Sequence, residues 1–112
     1  MNLVAGHLDP GGVALGDLVL APDGRTGEPG RNVTIGMRPE NLELAGDGPI
    51  LLKTELLERL GADTIVHGRL GDGTALTART PGALALRLGE TVRLAIAPEH
   101  IHLFDAESGQ RL

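Results

Sequence analysis

Thr34-Ile35-Gly36-Met37-Arg38-Pro39-Glu40-Asn41-Leu42-Glu43-Leu44 and, further along, Arg93-Leu94-Ala95-Ile96-Ala97-Pro98-Glu99-His100-Ile101-His102-Leu103 are two versions of one pattern. Each has an apolar strand, a Pro-Glu step and a second alternating strand. Pro39 and Pro98 stand 59 positions apart (98 − 39), and the flanking positions agree in kind: Ile35 with Leu94, Met37 with Ile96, Leu42 with Ile101, Leu44 with Leu103. Two copies at that spacing do not make a solenoid. They read as one β-domain that uses the same corner twice. Proline lacks an N–H and fixes φ, so a strand that reaches it stops pairing, and the residue before it is held extended. The corner is either a recurrent strand terminator or a device that presents Arg38, Glu40, Glu99 and His100 to a partner.

The segments on either side extend the same reading. With 17 glycines and 7 prolines, the chain is cut into pieces about as long as ordinary strands. Residues 3–8 and 13–21 form a first hairpin around Asp9-Pro10-Gly11-Gly12. Residues 22–30 have no apolar period and read as a mobile loop. Residues 33–37 and 42–44 flank the first corner, and Gly46-Asp47-Gly48-Pro49 ends that unit. The segment 50–60 is ambiguous. Leu52, Leu56 and Leu60 share a helical face and Glu55 precedes Arg59 by four, yet Ile50, Leu52, Thr54 and Leu56 also fit period two. A strand is expected there, because the next segments, 64–70 and 74–80, are plainly β in pattern. These two flank Gly71-Asp72-Gly73 as a second hairpin, closed by Pro81-Gly82. Residues 83–88 are a strand or a short helical turn. Residues 91–97 lead into the second corner, 104–109 form a turn, and 110–112 are a loose or edge-pairing tail.

Composition narrows the function. The 112 residues suffice for one domain with its own core. No cysteine is present, which removes disulfide and thiol chemistry and suits a cytoplasmic protein. Phe104 is the single aromatic residue, so the core is aliphatic and no stacking platform for bases exists. A formal charge of −5 opposes binding to a phosphate backbone, so no nucleic-acid partner is expected. No apolar run approaches the roughly 20 residues of a membrane-spanning helix, and residues 1–6 lack the pattern of a signal peptide. A soluble domain is expected, compatible with a place in a membrane complex.

Catalytic motifs are missing from the sequence. There is no Gly-x-x-x-x-Gly-Lys-Ser/Thr, so ATP hydrolysis is not encoded in these residues. The lone serine, Ser108, lies in a polar turn without an activating base. His100-x-His102 places two imidazoles on one strand face with Phe104, while Ile101 and Leu103 point the other way. Two ligands are half a metal site at most, with His7 and His67 distant in sequence. The face therefore reads as an interface, and no metal is assigned.

Gly36-Met37-Arg38-Pro39-Glu40-Asn41-Leu42 resembles the G-[IM]-R-P-E-x-[LIV] signature in the C-terminal regulatory region of ATP-binding subunits of bacterial ABC importers for sugars and glycerol-3-phosphate. Three further stretches are similar to that family in the same order: Glu58-Arg59-Leu60-Gly61-Ala62-Asp63-Thr64, Leu88-Gly89-Glu90-Thr91-Val92, and the run from Pro98-Glu99-His100 to Glu107-Ser108-Gly109. The resemblance implies an all-β, OB-fold-like β-barrel, a TOBE domain, with residues 1–112 as a single regulatory domain excised from a longer subunit. It further implies a non-catalytic regulatory and dimerisation role in uptake of carbohydrate or sn-glycerol-3-phosphate. ATP and magnesium would be handled elsewhere in the parent subunit, with no cofactor in this fragment. The implied partners are a second copy of the subunit, the transporter's membrane subunits and a regulatory protein, and the implied location is the cytoplasmic face of the cell membrane. Interface or regulatory positions on this analogy are Arg38, Pro39, Glu40, Pro98, Glu99, His100, His102 and Phe104, with an apolar patch expected around 101–104. A small-ligand module for oxyanions or sugars is the alternative.

Overall fold

The computed structural model describes residues 1–22, 28–82 and 86–112. They form ten strands and two short 3-10 turns in the order β1 (Asn2–Asp9), β2 (Gly12–Leu15), β3 (Leu18–Leu20), β4 (Asn32–Met37), first turn (Pro39–Asn41), β5 (Glu43–Leu44), β6 (Ile50–Leu60), β7 (Asp63–Arg69), β8 (Ala75–Pro81), β9 (Thr91–Ala95), second turn (Pro98–His100) and β10 (His102–Asp105). The all-β, OB-like class expected from the sequence holds. The strands make two five-stranded antiparallel sheets, ordered β10-β4-β1-β2-β3 and β5-β9-β6-β7-β8.

The chain divides into two compact units, one of residues 1–37 with 97–112 and the other of residues 38–96. Both boundaries fall within the Pro-Glu repeats: the chain leaves the first unit between Met37 and Arg38 and re-enters it between Ile96 and Ala97. Each repeat therefore contributes one strand to each sheet, and the copies pair with each other. β4 of the first copy lies against β10 of the second, matching Ile35 with Leu103, and β5 of the first lies against β9 of the second, matching Leu44 with Leu94. The shared pattern of the two stretches accompanies this reciprocal use of the same strand-turn-strand element.

In the first unit, the expected hairpin forms at Asp9-Pro10-Gly11-Gly12, where the Asp9 carboxylate accepts the Gly11 N–H at 3.0 Å and Asp9 pairs with Gly12. Residues 13–21 are not one strand, as the apolar run had suggested. Gly16 adopts φ +59°, a left-handed conformation that glycine takes without the Cβ penalty, and the chain reverses at Gly16-Asp17 so that Leu15 faces Leu18. Val4, Leu8, Val13, Leu15, Leu20, Val33, Ile35, Met37, Ile101 and Leu103 are buried. At the far edge the tail 110–112 pairs with β10: Asp105 N–H donates to Gln110 O at 2.7 Å and Leu112 N–H to Leu103 O at 2.9 Å.

In the second unit, 50–60 is an eleven-residue strand, as read from period two. The helical spacing of Leu52, Leu56 and Leu60 is a by-product of a β-bulge between Thr54 and Leu56, which shifts the alternation by one residue. Before the bulge Ile50, Leu52 and Thr54 are buried; beyond it Leu56 and Leu60 are exposed. Val66, Leu76, Ala78, Val92 and Leu94 complete this buried face. β8 also runs beside the first 3-10 turn and β5, so the opposite edges of the sheet approach and it curls towards a half-barrel. The second hairpin forms as expected, with Arg69 opposite Ala75 around residues 70–74. Of the expected 83–88 element, residues 83–85 lie outside the described residues, as do 23–27 of the expected 22–30 loop.

Candidate regulatory corners and an apolar sheet face

Both Pro-Glu corners have the same local build. Arg38 and Ala97 precede the prolines with extended backbones, φ −77° and ψ 136° against φ −67° and ψ 142°. This is the conformation imposed by the following proline ring. Proline occupies the start of each short turn, where its missing N–H goes unused. The turn closes with Asn41 N–H donating to Arg38 O at 3.0 Å and Leu42 N–H to Pro39 O at 3.3 Å. In the second copy His100 N–H donates to Ala97 O at 2.9 Å and Ile101 N–H to Pro98 O at 3.2 Å. Leu42 and Ile101, the next residues in each copy, are buried and anchor the corners.

The side chains singled out by sequence divide accordingly. Arg38, Glu40, Pro98 and Glu99 are exposed, and Pro39 and His100 are half-buried. Among the described residues none of Arg38, Glu40, Glu99 or His100 enters an ion pair. The first corner sits in the second unit beside β8, and the second corner in the first unit ahead of β10. They do not form one constellation within either unit.

His102 and Phe104 do share a face, as period two requires, and lie on the solvent side of the first sheet. Cross-strand pairing extends this face over all five strands: His102-Gly36-Leu3, Phe104-Thr34-Ala5, and Asn32-His7-Ala14-Val19. Leu3 is 63% exposed, Met1 55% and Val19 47%. Gly36, inside the family signature, has a physical reason to be glycine. A Cβ there would lie 2.9 Å from Cε2 of Phe104 and 2.7 Å from Sδ of Met1, so the bare backbone leaves room for both to settle on the strand. At the sheet's edge the Arg111 guanidinium donates to Nδ1 of His102 at 2.6 Å. The apolar patch expected at 101–104 is thus displaced: Ile101 and Leu103 are buried, and the exposed apolar atoms come from Met1, Leu3 and Val19 with half-buried Phe104. Period two over 2–9 places Leu3 and Ala5 on one face and Val4 and Leu8 on the other, but gives no sign of which face is covered.

The turn after β10 is set by one carboxylate. Asp105 accepts the Ser108 N–H at 2.8 Å, the Glu107 N–H at 3.2 Å and the Arg31 guanidinium at 2.9 Å. The Ser108 backbone N–H, followed by Arg31, holds its pKa down at about 2. On the solvent side of the second sheet polar side chains stand in pairs: Glu55 with Arg69 at 3.1 Å, Asp63 with Arg79 at 2.6 Å, and Glu58 Oε1 with His67 Nε2 at 2.5 Å. His67 Nδ1 stands 3.2 Å from the Thr77 hydroxyl. This Glu-His-Thr string runs across β6, β7 and β8 on a partly exposed strand surface. Among the described residues no group of three or more histidines or acidic residues could hold a metal ion. No helix among them is long and apolar enough to cross a membrane.

The sequence pattern of the TOBE domain matches residues 35–104, from the middle of β4 through β10. The chain belongs to the TOBE domain family. The TOBE match begins within the first Pro-Glu copy, at Ile35, and ends one residue past the second, at Phe104. Among curated proteins the chain is similar to the sn-glycerol-3-phosphate import ATP-binding protein UgpC of Ruegeria sp. (strain TM1040), with 37% identity over 113 residues, covering 100% of this chain and 32% of that protein. It is 48% identical over 87 residues to the UgpC protein of Cereibacter sphaeroides, covering 74% of this chain and 24% of that protein. To the sulfoquinovosyl glycerol transport ATP-binding protein SmoE of Agrobacterium fabrum it is 42% identical over 89 residues, covering 78% of this chain and 25% of the relative. The chain spans about a third or less of the length of these relatives.

Proposed function

We propose that this TOBE domain is the non-catalytic regulatory and dimerisation domain of an ABC importer's ATP-binding subunit, serving uptake of sn-glycerol-3-phosphate or a related carbohydrate. The observation that carries the reading is the extent of the match: this whole chain corresponds to roughly a third of an import ATP-binding protein, and its residues contain no P-loop. Nucleotide and magnesium then belong to the remainder of the subunit, and residues 1–112 act as one domain within it. The partners are a second copy of the subunit, the transporter's membrane subunits and a regulatory protein, at the cytoplasmic face of the membrane.

The corners and the apolar face take separate roles in this reading. Pro39 and Pro98 turn the chain from one sheet to the other. Arg38, Glu40, Glu99 and His100, exposed or half-buried on those turns, are available to a regulatory protein, while His102 and Phe104 lie on the sheet face that meets another subunit. A chimera tests this. The matching third of the Ruegeria import protein is replaced by this chain, and uptake of labelled glycerol-3-phosphate is compared with that of the native and truncated subunits. Uptake well above the truncated level is expected. Uptake at the truncated level, together with saturable calorimetric binding of molybdate, glycerol-3-phosphate or maltose to the isolated chain, would sink the proposal.

A further inference from the structure

We infer that His102 and Arg111 form a proton-released latch: while the His102 imidazole is neutral it holds residues 110–112 on the edge of β10, and protonation of the ring lets them go.

The segment 110–112 runs back along β10 as a short extra strand. Asp105 N–H donates to Gln110 O at 2.7 Å, Leu112 N–H donates to Leu103 O at 2.9 Å, and Phe104 pairs with Arg111. Gln110, Arg111 and Leu112 are all exposed, so little burial supports these backbone bonds. The side-chain tie is Arg111 to His102. Arg111 stands opposite Phe104, and His102, two residues earlier on the same face of β10, is its diagonal neighbour. The guanidinium reaches Nδ1 of His102 at 2.6 Å.

The partners decide what a proton does there. A guanidinium only donates, so Nδ1 offers its lone pair and the neutral ring carries its proton on Nε2. A second proton goes to Nδ1 and turns the acceptor into a donor that faces a donor, with two cations in contact. Imidazoles change charge between about pH 8 and 5, so the latch opens in that interval. His67 has the opposite surroundings. Its Nε2 meets the Glu58 carboxylate at 2.5 Å and its Nδ1 the Thr77 hydroxyl at 3.2 Å. A carboxylate accepts and a hydroxyl does either, so a proton added to Nδ1 of His67 leaves both contacts in place.

The groups around His102 keep the effect local. Opposite it, β4 presents Asn32, Thr34 and Gly36, and beyond that β1 presents Leu3 and Ala5, with His7 and Asp9 further along. The turn that precedes β10 carries Glu99 and His100. On β10 itself the Asp105 carboxylate accepts from Ser108 N–H and Arg31, which lower it from 3.8 to about 2. The turn after Asp105 therefore stays anchored while the latch opens. Release of 110–112 strips Asp105 N–H and Leu103 C=O of their partners and leaves β10 as an open sheet edge, the kind of surface to which another strand adds.

NMR on the 15N-labelled 112-residue chain tests the latch. Long-range imidazole correlations at pH 8 should show the Nε2–H tautomer at both His102 and His67. Between pH 8 and 5 the backbone order parameters of residues 110–112 should fall from about 0.85, the value of a rigid backbone, to below about 0.6, with a midpoint that follows the His102 ring. The strands around His67 should stay rigid over the same interval. The amide of Arg111→Gln donates to a neutral Nδ1 and, turned over, accepts from a protonated one, so in that variant residues 110–112 should not respond to pH. An Nδ1–H tautomer at His102 overturns the inference. So does a segment 110–112 that is already loose at pH 8, that stays rigid while His102 titrates, or that loosens in Arg111→Gln as it does in the native chain. Loosening shared equally by the strands around His67 overturns it as well. The tautomer and the native titration need no substitution, so they decide the matter even if the variant fails to fold.

Discussion

The two sheets share size, antiparallel order and one buried aliphatic face, but they meet water differently. On the second sheet Glu55, Glu58 and Asp63 are each matched across the strand to Arg69, His67 and Arg79. On the first sheet the corresponding surface holds Leu3, Ala5, Val19 and the half-buried Phe104, with the Asp9 carboxylate at its hairpin end. Cross-strand charge pairs keep a sheet surface solvated and specific at little energetic gain. An aliphatic surface of similar area leaves apolar atoms in water, which is unfavourable unless something covers them. Both outer faces nevertheless expose aliphatic side chains, Met1, Leu3 and Val19 on the first sheet and Leu51, Leu56 and Leu60 on the second, so the two differ in cross-strand polar pairing rather than in apolar exposure.

The strongest test of that comparison starts where the sheets are alike. Ile35→Ala in β4 and Leu52→Ala in β6 each remove a fully buried side chain, and each should cost about 2–5 kcal/mol in urea unfolding. If only one of them is costly, the sheets differ inside as well as outside. A smaller effect of opposite sign is expected at Thr54, which is buried and whose hydroxyl has no hydrogen-bond partner among the described residues. Valine has the same shape without the unmatched polar group, so Thr54→Val should stabilise by on the order of 1 kcal/mol in the same assay. Thr64 is the contrast, since its hydroxyl donates to Gly82 O at 2.8 Å.

The charge pairs outside the second sheet should matter less. Arg79→Ala removes the partner of Asp63, both partly solvent-exposed, and should cost between about 0 and 1 kcal/mol, less in high salt. A loss of several kcal/mol in thermal melts would mean that this face does more than stay solvated. The last expectation concerns pH at the edge of the first sheet. The Asp105 carboxyl is lowered from 3.8 to about 2, so the folded chain binds fewer protons there than the unfolded chain does. Its contribution is complete above pH 4 and is lost as the pH falls towards 2. The difference in melting temperature between the native chain and Asp105→Asn should accordingly shrink over that interval. A constant difference would contradict the hydrogen bonds from Ser108 and Arg31.

Much of the fold could be read from local chemistry. Asp9-Pro10-Gly11-Gly12 and Gly71-Asp72-Gly73 named their hairpins, and the Pro-Glu steps named their corners, because proline and glycine act on their own backbone and need no distant neighbour. Gly16-Asp17 carries a two-residue turn signal, but it is outweighed by the apolar residues on both sides of it from Val13 to Leu20. At 50–60 the bulge shifted the alternation so that leucines on different sides of a strand imitated one side of a helix. Of the candidate site, the alternation of His102 and Phe104 against Leu103 was legible, and so was the exposure of Arg38 and Glu40. The apolar patch was not, since Leu3 and Val19 are far from Phe104 in the chain and meet it on one face only through β4, β1 and β2.

By itself the sequence determined where strands run and turn, that no nucleotide motif lies in these residues, and which family the two corners mark. Each of those follows from residues close together in the chain or from a linear pattern. Tertiary structure alone decided that the two repeats pair with each other, that Leu3 faces water while Val4 does not, and that Glu55, Glu58 and Asp63 find their partners across the second sheet. Alternation with period two sorts side chains into two sets but does not say which set is buried, because that depends on which surfaces the completed fold covers.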